Sequence, residues 1–294
     1  MPVLRSGAPH HPYSPRPHRP ARSLATAAGA LMAALSLLLG ASGTAGAAAP
    51  GRATEPSHPE QDWAGSQIAK HEGHAAGIAA SPSSLAASVE GVDVSSHNGN
   101  VAWSTLWNSG SRFAYVKATE STSYTNPYFA QQYNGSYNAG MIRGAYHFAT
   151  PNTSSGAAQA NYFVDHGGGW SKDGKTLPGA LDMEYNPYGS TCYGLSAAGL
   201  VNWMKDWFAT YKARTGRDAV IYTSTSWWKQ CTGNSTAFGS INPLWVPRYG
   251  SSVGELPAGW GFHTIWQYTS SGATVGDHNR FNGALDRLQA LANG

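Results

Sequence analysis

The feature that most constrains this chain is a rhythm. From Gly91 onward, short apolar runs rich in β-branched and aromatic residues alternate with longer, helix-like stretches. The runs at residues 91–95, 113–118, 144–148, 180–183, 219–223, 244–247 and 264–268 read as strands. Residues 126–139, 155–166 and 196–215 read as helices, the last with Leu200, Met204, Trp207, Phe208 and Tyr211 at helical spacing. Strands that alternate with helices favour a parallel sheet or barrel. Roughly 200 residues is compact for an eight-fold barrel. The expected class is therefore α/β, an irregular TIM-like β/α barrel with some short or missing helices.

Ahead of the barrel the texture differs. Arg5, Arg16, Arg19 and Arg22 precede an apolar run from Leu24 to Leu39, and the small residues Ala45-Gly46-Ala47 follow, the order of a secretory leader. A membrane anchor needs about twenty mainly apolar residues, and this run is shorter and interrupted by Gly29 and Ser36. Residues 1–47 are thus expected to be a signal peptide, giving a secreted, extracellular protein with no membrane attachment after cleavage. Those four arginines are the leader's only charged side chains, so its loss takes the formal net charge from +3 to −1. A broad basic surface for nucleic acid is not indicated.

Residues 48–88 are rich in Ala, Ser, Pro, Gly and His, with few large apolar side chains, and read as a disordered linker or propeptide. Residues 89–294 are expected to form the catalytic barrel and to act as a monomer. The two cysteines, Cys192 and Cys231, lie 39 positions apart and in an exported protein are expected to form one disulfide. Closing such a loop is worth about 3 to 4 kcal/mol on the chain-entropy model. A metal site would need more ligands at short spacing, so neither metal nor cofactor is expected.

The acidic residues are sparse and informatively placed. Asp93 lies inside Gly91-Val92-Asp93-Val94-Ser95, and Asp182 and Glu184 come directly after Pro178-Gly179-Ala180-Leu181. A carboxylate inside an apolar strand is costly unless it is paired, hydrogen-bonded or at a wet strand end. In barrels the carboxyl ends of the strands carry the active site. Asp182 and Glu184 flank Met183, so an extended strand points both to one face, with Cα atoms about 6 to 7 Å apart. Their repulsion raises the pKa of the drier one, which is how a glycosidase keeps a proton donor beside an ionised partner. The same triplet would also suit a strand end whose acids cap backbone or pair with Arg or Lys. Sugar rings present apolar C–H faces to aromatic planes. Tyr146, Trp245, Tyr249 and Trp266 are therefore groove candidates, although barrel cores also absorb many large side chains. His97 and His147 follow strands and read as satisfied loop or core histidines.

Five motifs occur in order: Gly91-Val92-Asp93-Val94-Ser95-Ser96-His97, Val116-Lys117-Ala118-Thr119-Glu120, Gly144-Ala145-Tyr146-His147-Phe148, Leu181-Asp182-Met183-Glu184 and Trp266-Gln267-Tyr268. With a closing Asp277-His278-Asn279-Arg280-Phe281, this series resembles glycoside hydrolase family 25, the Chalaropsis-type lysozymes, over essentially all of residues 89–294. The resemblance implies an N-acetylmuramidase that cleaves the β-1,4 bond between N-acetylmuramic acid and N-acetylglucosamine, with bacterial cell-wall peptidoglycan as its partner. By motif position, Glu184 resembles the proton donor, and Asp182 the carboxylate that stabilises the charged intermediate or orients the acetamido group. Asp93 and Asp277 resemble the remaining acids of the pocket, and Glu120 a further acid associated with it. Two rival readings stay in view. One is a catalytically silent glycan-binding module, which would not need four retained acids. The other is a chitin-directed hydrolase, whose acidic run before the donor is missing from Leu177-Pro178-Gly179-Ala180-Leu181.

Overall fold

The computed structural model describes residues 55–73 and 88–294. The leader expected over residues 1–47, with its cleavage point, lies outside the described residues. No helix among the described residues is long and apolar enough to cross a membrane.

Eight strands close a ring. β1 (Val89–Val94) pairs in parallel with β2 (Phe113–Glu120), which carries a two-residue outer strand β3 (Tyr124–Thr125). The parallel series continues through β4 (Ile142–Phe148), β5 (Ala180–Asp182), β6 (Val220–Tyr222), β7 (Leu244–Pro247) and β8 (Ile265–Thr269). The last strand, β9 (Asp277–Phe281), runs antiparallel to both β8 and β1 and so shuts the barrel. The seven sequence-based strands are all present, each within a few residues of its expected bounds. β9 was legible only as a motif.

Helices fill the outside unevenly. Before the barrel, α1 (Ser66–Glu72) lies within the stretch read as a disordered linker. Together with a 3-10 turn at Pro59–Gln61 it gives residues 55–73 defined structure, so disorder does not describe this part of residues 48–88. Its ordering comes from burial against the barrel: Asp62, Ala64, Ser66, Gln67 and Ile68 are all buried. Around the barrel follow α2 (Trp103–Asn108), α3 (Phe129–Asn138), α4 (Gly156–Phe163), α5 (Ala197–Thr215), α6 (Thr225–Thr232) and α7 (Leu285–Asn293). No helix separates β7 from β8 or β8 from β9, which is the irregularity that the chain's length implied.

α5 shows why these elements form. Ser196 caps its start by accepting the Gly199 N–H, and Gly216 ends it in the left-handed conformation. Leu200, Trp203, Met204, Trp207, Phe208 and Tyr211 recur at three- and four-residue steps and are buried against α4 and the sheet. Each such side chain contributes roughly 1.5–3 kcal/mol on full burial. α4 approaches α5 so closely at Gly156 that a Cβ there would strike the backbone of Trp203 and Trp207. Backbone cannot give way as a flexible side chain can, so Gly156→Ala would separate the two helices.

Inside the ring the side chains alternate. Phe113, Tyr115, Tyr146, Ala180, Val220, Tyr222, Trp245 and Ile265 fill the lumen, while Leu181, Met183, Ile221 and Val246 pack outward under the helices. Cys192, in the loop after β5, is bonded to Cys231 in the last turn of α6, with Cα atoms 5.3 Å apart. The expected disulfide is present.

Candidate active site

The parity of the strands decides which acids meet. Asp93 lies near the end of β1 and Asp182 at the end of β5, with Glu184 two residues further on the same face. Because β9 runs against its neighbours, it begins where they end, and Asp277 lies directly across from Asp93 in the β1–β9 register. Glu120 reaches the mouth by a different device. On a regular strand, Lys117 and Glu120, three positions apart, would face opposite ways. The register of β2 against β4 shifts between Lys117 and Thr119, a bulge that restores Glu120 to the inward face. Lys117 Nζ then lies 2.6 Å from Glu120 Oε2.

Asp93 rests on two side-chain amides. Its Oδ2 accepts from Asn279 Nδ2 at 2.7 Å and from Gln267 Nε2 at 2.9 Å. The carbonyl ends of both amides are already used. Trp245 Nε1 donates to Asn279 Oδ1 at 2.7 Å, and the hydroxyls of Tyr222 and Tyr249 lie 2.8 and 3.0 Å from Gln267 Oε1. Those donors fix each amide's orientation and aim its NH2 group at the carboxylate. Burial nonetheless lifts Asp93 to about 7, against the pull of these bonds. Asp277 is pushed well above the ordinary range by burial and then by the charge of Asp93.

The other pair has different company. Both oxygens of Asp182 are buried without a hydrogen-bond partner among the described residues. Burial, then the neighbouring Glu184, push its carboxyl well above the usual value while Lys117 pulls the other way. Glu184 is fully buried, and its carboxylate accepts three backbone N–H groups: Gly65 on Oε1 at 2.9 Å, and Gln67 and Ile68 on Oε2 at 3.1 and 3.2 Å. Burial raises it to about 8 despite those donors. Double ionisation is therefore disfavoured at neutral pH, and the pair retains a proton.

A third cluster joins barrel to segment. The Tyr188 hydroxyl contacts both Asp62 and Glu120, the latter at 2.7 Å. One hydroxyl proton cannot serve two carboxylates. One of the acids must itself donate, in keeping with burial raising both, Glu120 to about 7.

Of the residues singled out in the sequence, Asp93, Asp182, Glu184, Asp277, Glu120, Tyr146 and Tyr249 converge at the mouth. Two groove candidates do not. Trp245 is fully buried in the lumen, stacked on Tyr115 at 4.8 Å and edge-on to Tyr222, where its role is to orient Asn279. Trp266 faces outward from β8, donating to the Arg248 carbonyl and packing edge-on against Tyr268, while its neighbour Gln267 faces in. Lys117, Gln267 and Asn279 lay inside recognised motifs without an assigned role. Tyr188 carried no signal beyond following the Asp182/Glu184 strand end. An open cavity of about 650 Å³ remains on the β1–β9 side, lined by Asp93, Asp277, His97, Trp63 and Gly65 among others.

Carboxyl groups gathered at the carboxyl end of a β/α barrel, with one buried pair whose double ionisation is disfavoured, form a glycoside hydrolase type of site. Comparison with known proteins agrees. The family model described as glycosyl hydrolases family 25 matches residues 92–277. Lysozyme M1 of Streptomyces globisporus is 51% identical over 210 residues, covering 70% of this chain and 71% of that protein. The N,O-diacetylmuramidase of Chalaropsis sp is 50% identical over 210 residues, 70% of this chain and 100% of that protein. Among solved structures, a muramidase from Acremonium alcalophilum matches with a TM-score of 0.69 at 56% identity, covering 70% of this chain and 99% of that one. The chain belongs to glycosyl hydrolases family 25 and is a glycoside hydrolase.

Proposed function

We propose that the protein is a secreted lysozyme that hydrolyses the β-1,4 bond between N-acetylmuramic acid and N-acetylglucosamine in peptidoglycan, with retention of configuration through the substrate's own acetamido group. Relatives named lysozyme and N,O-diacetylmuramidase, at about half identity over a barrel's length, support the substrate class. The observation that carries the mechanism is the pair of unpartnered, buried oxygens on Asp182 beside the buried Glu184. A buried acceptor without a donor is costly, and an incoming amide N–H is a group that would satisfy it.

In the reading that follows, Glu184 gives its proton to the glycosidic oxygen as that bond breaks. The acetamido oxygen attacks the anomeric carbon, and Asp182 accepts from the acetamido N–H and stabilises the positive charge that develops. Water then opens the oxazolinium ion at the anomeric carbon and returns a proton to Glu184. Asp93, Asp277 and Glu120 border the reacting sugars, with Tyr146 and Tyr249 as their aromatic and hydroxyl contacts.

Two measurements test this. Bacterial walls should lose turbidity while chitin releases little sugar, and the reverse would assign a chitin-directed enzyme. NMR of the first-formed product should show the β-anomer, and an initial α-anomer would rule out retention.

A further inference from the structure

We infer that residues 55–73 are a built-in inhibitor: they occupy the substrate cleft by capping Glu184, and the barrel becomes active when they leave. This inference rests on the proposal that Glu184 is the proton donor.

The segment engages the site through its backbone. Three N–H groups of the N-cap and first turn of α1, from Gly65, Gln67 and Ile68, fill the carboxylate that must hydrogen-bond the glycosidic oxygen. Those donors take up the carboxyl group that would otherwise face the glycosidic oxygen, so Glu184 is turned to the segment rather than to substrate whatever its protonation. The segment's carbonyls are matched in turn. Lys117 donates to those of Pro59, at 2.8 Å, and Asp62, while Gln267 donates to that of Ala64 at 2.9 Å. The Ala64 N–H reaches the Tyr146 hydroxyl at 3.2 Å. Thus Lys117, Tyr146, Glu184 and Gln267, which border the reacting groups, are all engaged by one short peptide.

Side chains complete the fit. Asp62 joins the Tyr188–Glu120 cluster, and Glu72 accepts from Tyr185 at 3.0 Å and from Ser224. Trp63 stacks on His97 with ring centroids 4.3 Å apart, and His71 on Tyr185 at 4.1 Å. Gly65 is the tightest point. Its φ of 97° is left-handed, and a Cβ there would overlap the Tyr249 hydroxyl and come within 2.8 Å of Gln267 Oε1. A tethered peptide competes intramolecularly, so even modest intrinsic affinity keeps the cleft closed. Asp182 keeps both buried oxygens without a partner among the described residues, so the segment blocks the cleft without reproducing the acetamido contact.

The test compares three proteins on soluble glycan fragments: the chain from Pro50 to Gly294, the same chain with Gly65→Leu, and residues 89–294. The last corresponds in length to the Chalaropsis relative, which is matched over 100% of its sequence. The parent should be at least about tenfold slower than residues 89–294, and a synthetic 55–73 peptide should inhibit the short form competitively. Gly65→Leu, whose change lies outside the barrel, should bring the long chain to within about threefold of the short one. Equal rates for the parent and the short form, or a Gly65→Leu chain as slow as its parent, would overturn inhibition. If every form, including the Gly65→Leu chain, leaves walls and fragments intact, the muramidase reading itself falls, and the inference with it.

Discussion

Asp93 is held on a scaffold of side-chain amides contributed by other barrel strands, whereas Asp182 takes no hydrogen bond among the described residues and Glu184 takes its own from the backbone of residues 65–68. The two acid pairs occupy one mouth but are supported in opposite ways. A carboxylate fixed by Asn279 and Gln267 cannot move or change partners without leaving buried amides unsatisfied. A carboxylate that the barrel leaves unsupported can take a substrate group as its partner. Under the proposed mechanism, the contrast separates acids that shape the pocket from acids reserved for chemistry.

The largest expected effect breaks that contrast on its reactive side. In residues 89–294, Glu184→Gln keeps size but removes the proton, so the chemical step should slow by about 10²- to 10⁴-fold or more. Asp182→Asn should be similarly severe, through loss of negative charge beside the developing oxocarbenium ion. A substrate with a good leaving group distinguishes them, since it needs little protonation. Bond cleavage by Glu184→Gln should then recover while Asp182→Asn stays slow. Recovery of Asp182→Asn alone would exchange the two roles.

The scaffolded side should respond more mildly and with a different signature. Asn279→Leu removes one of the two donors to Asp93 and strands the buried Trp245 N–H. An unsatisfied buried donor costs about 1–3 kcal/mol, visible as a lower Tm. The sign for Asp93 follows from the same loss. Hydrogen bonds to its ionised form hold its pKa down against burial, at about 7, so losing one moves that pKa further up. If ionised Asp93 assists the reaction, the acid limb of the pH–rate profile must shift to higher pH. A falling Tm with an unmoved limb would make Asp93 a structural acid only.

How much of this was legible in the sequence depends on parity. Asp182 and Glu184 could be placed together because a single residue, the outward-packed Met183, separates them at the end of β5. Lys117 and Glu120 could not, since the bulge that reunites them depends on pairing with β4. β9 was invisible as a strand because Asp277-His278-Asn279-Arg280-Phe281 is polar at the positions that line a polar mouth. α1 was missed for a related reason. It is too short to display an amphipathic period, and its partners lie more than a hundred residues away at Glu184 and Tyr185. The two misplaced tryptophans have separate causes. Leu244-Trp245-Val246-Pro247 is apolar throughout and shows no sidedness. In Trp266-Gln267 the usual expectation inverts, because near the mouth the lumen is polar and the outer face is packed.

That inversion supplies the smallest effect. Trp266 and Gln267 are adjacent on β8, yet only Gln267 touches the acids; Trp266 spends its indole N–H on the Arg248 carbonyl at 2.8 Å. Trp266→Phe keeps the packing against Tyr268 and removes that one hydrogen bond. The expected cost is about 0.5–1.5 kcal/mol in stability. Because the side chain points away from the mouth, kcat and KM on glycan fragments should each stay within about twofold of the parent. A several-fold rise in KM with kcat unchanged would mean that substrate binds across the outside of β8 as well as over its end. The groove would then extend to a face that the barrel's parity assigns to packing.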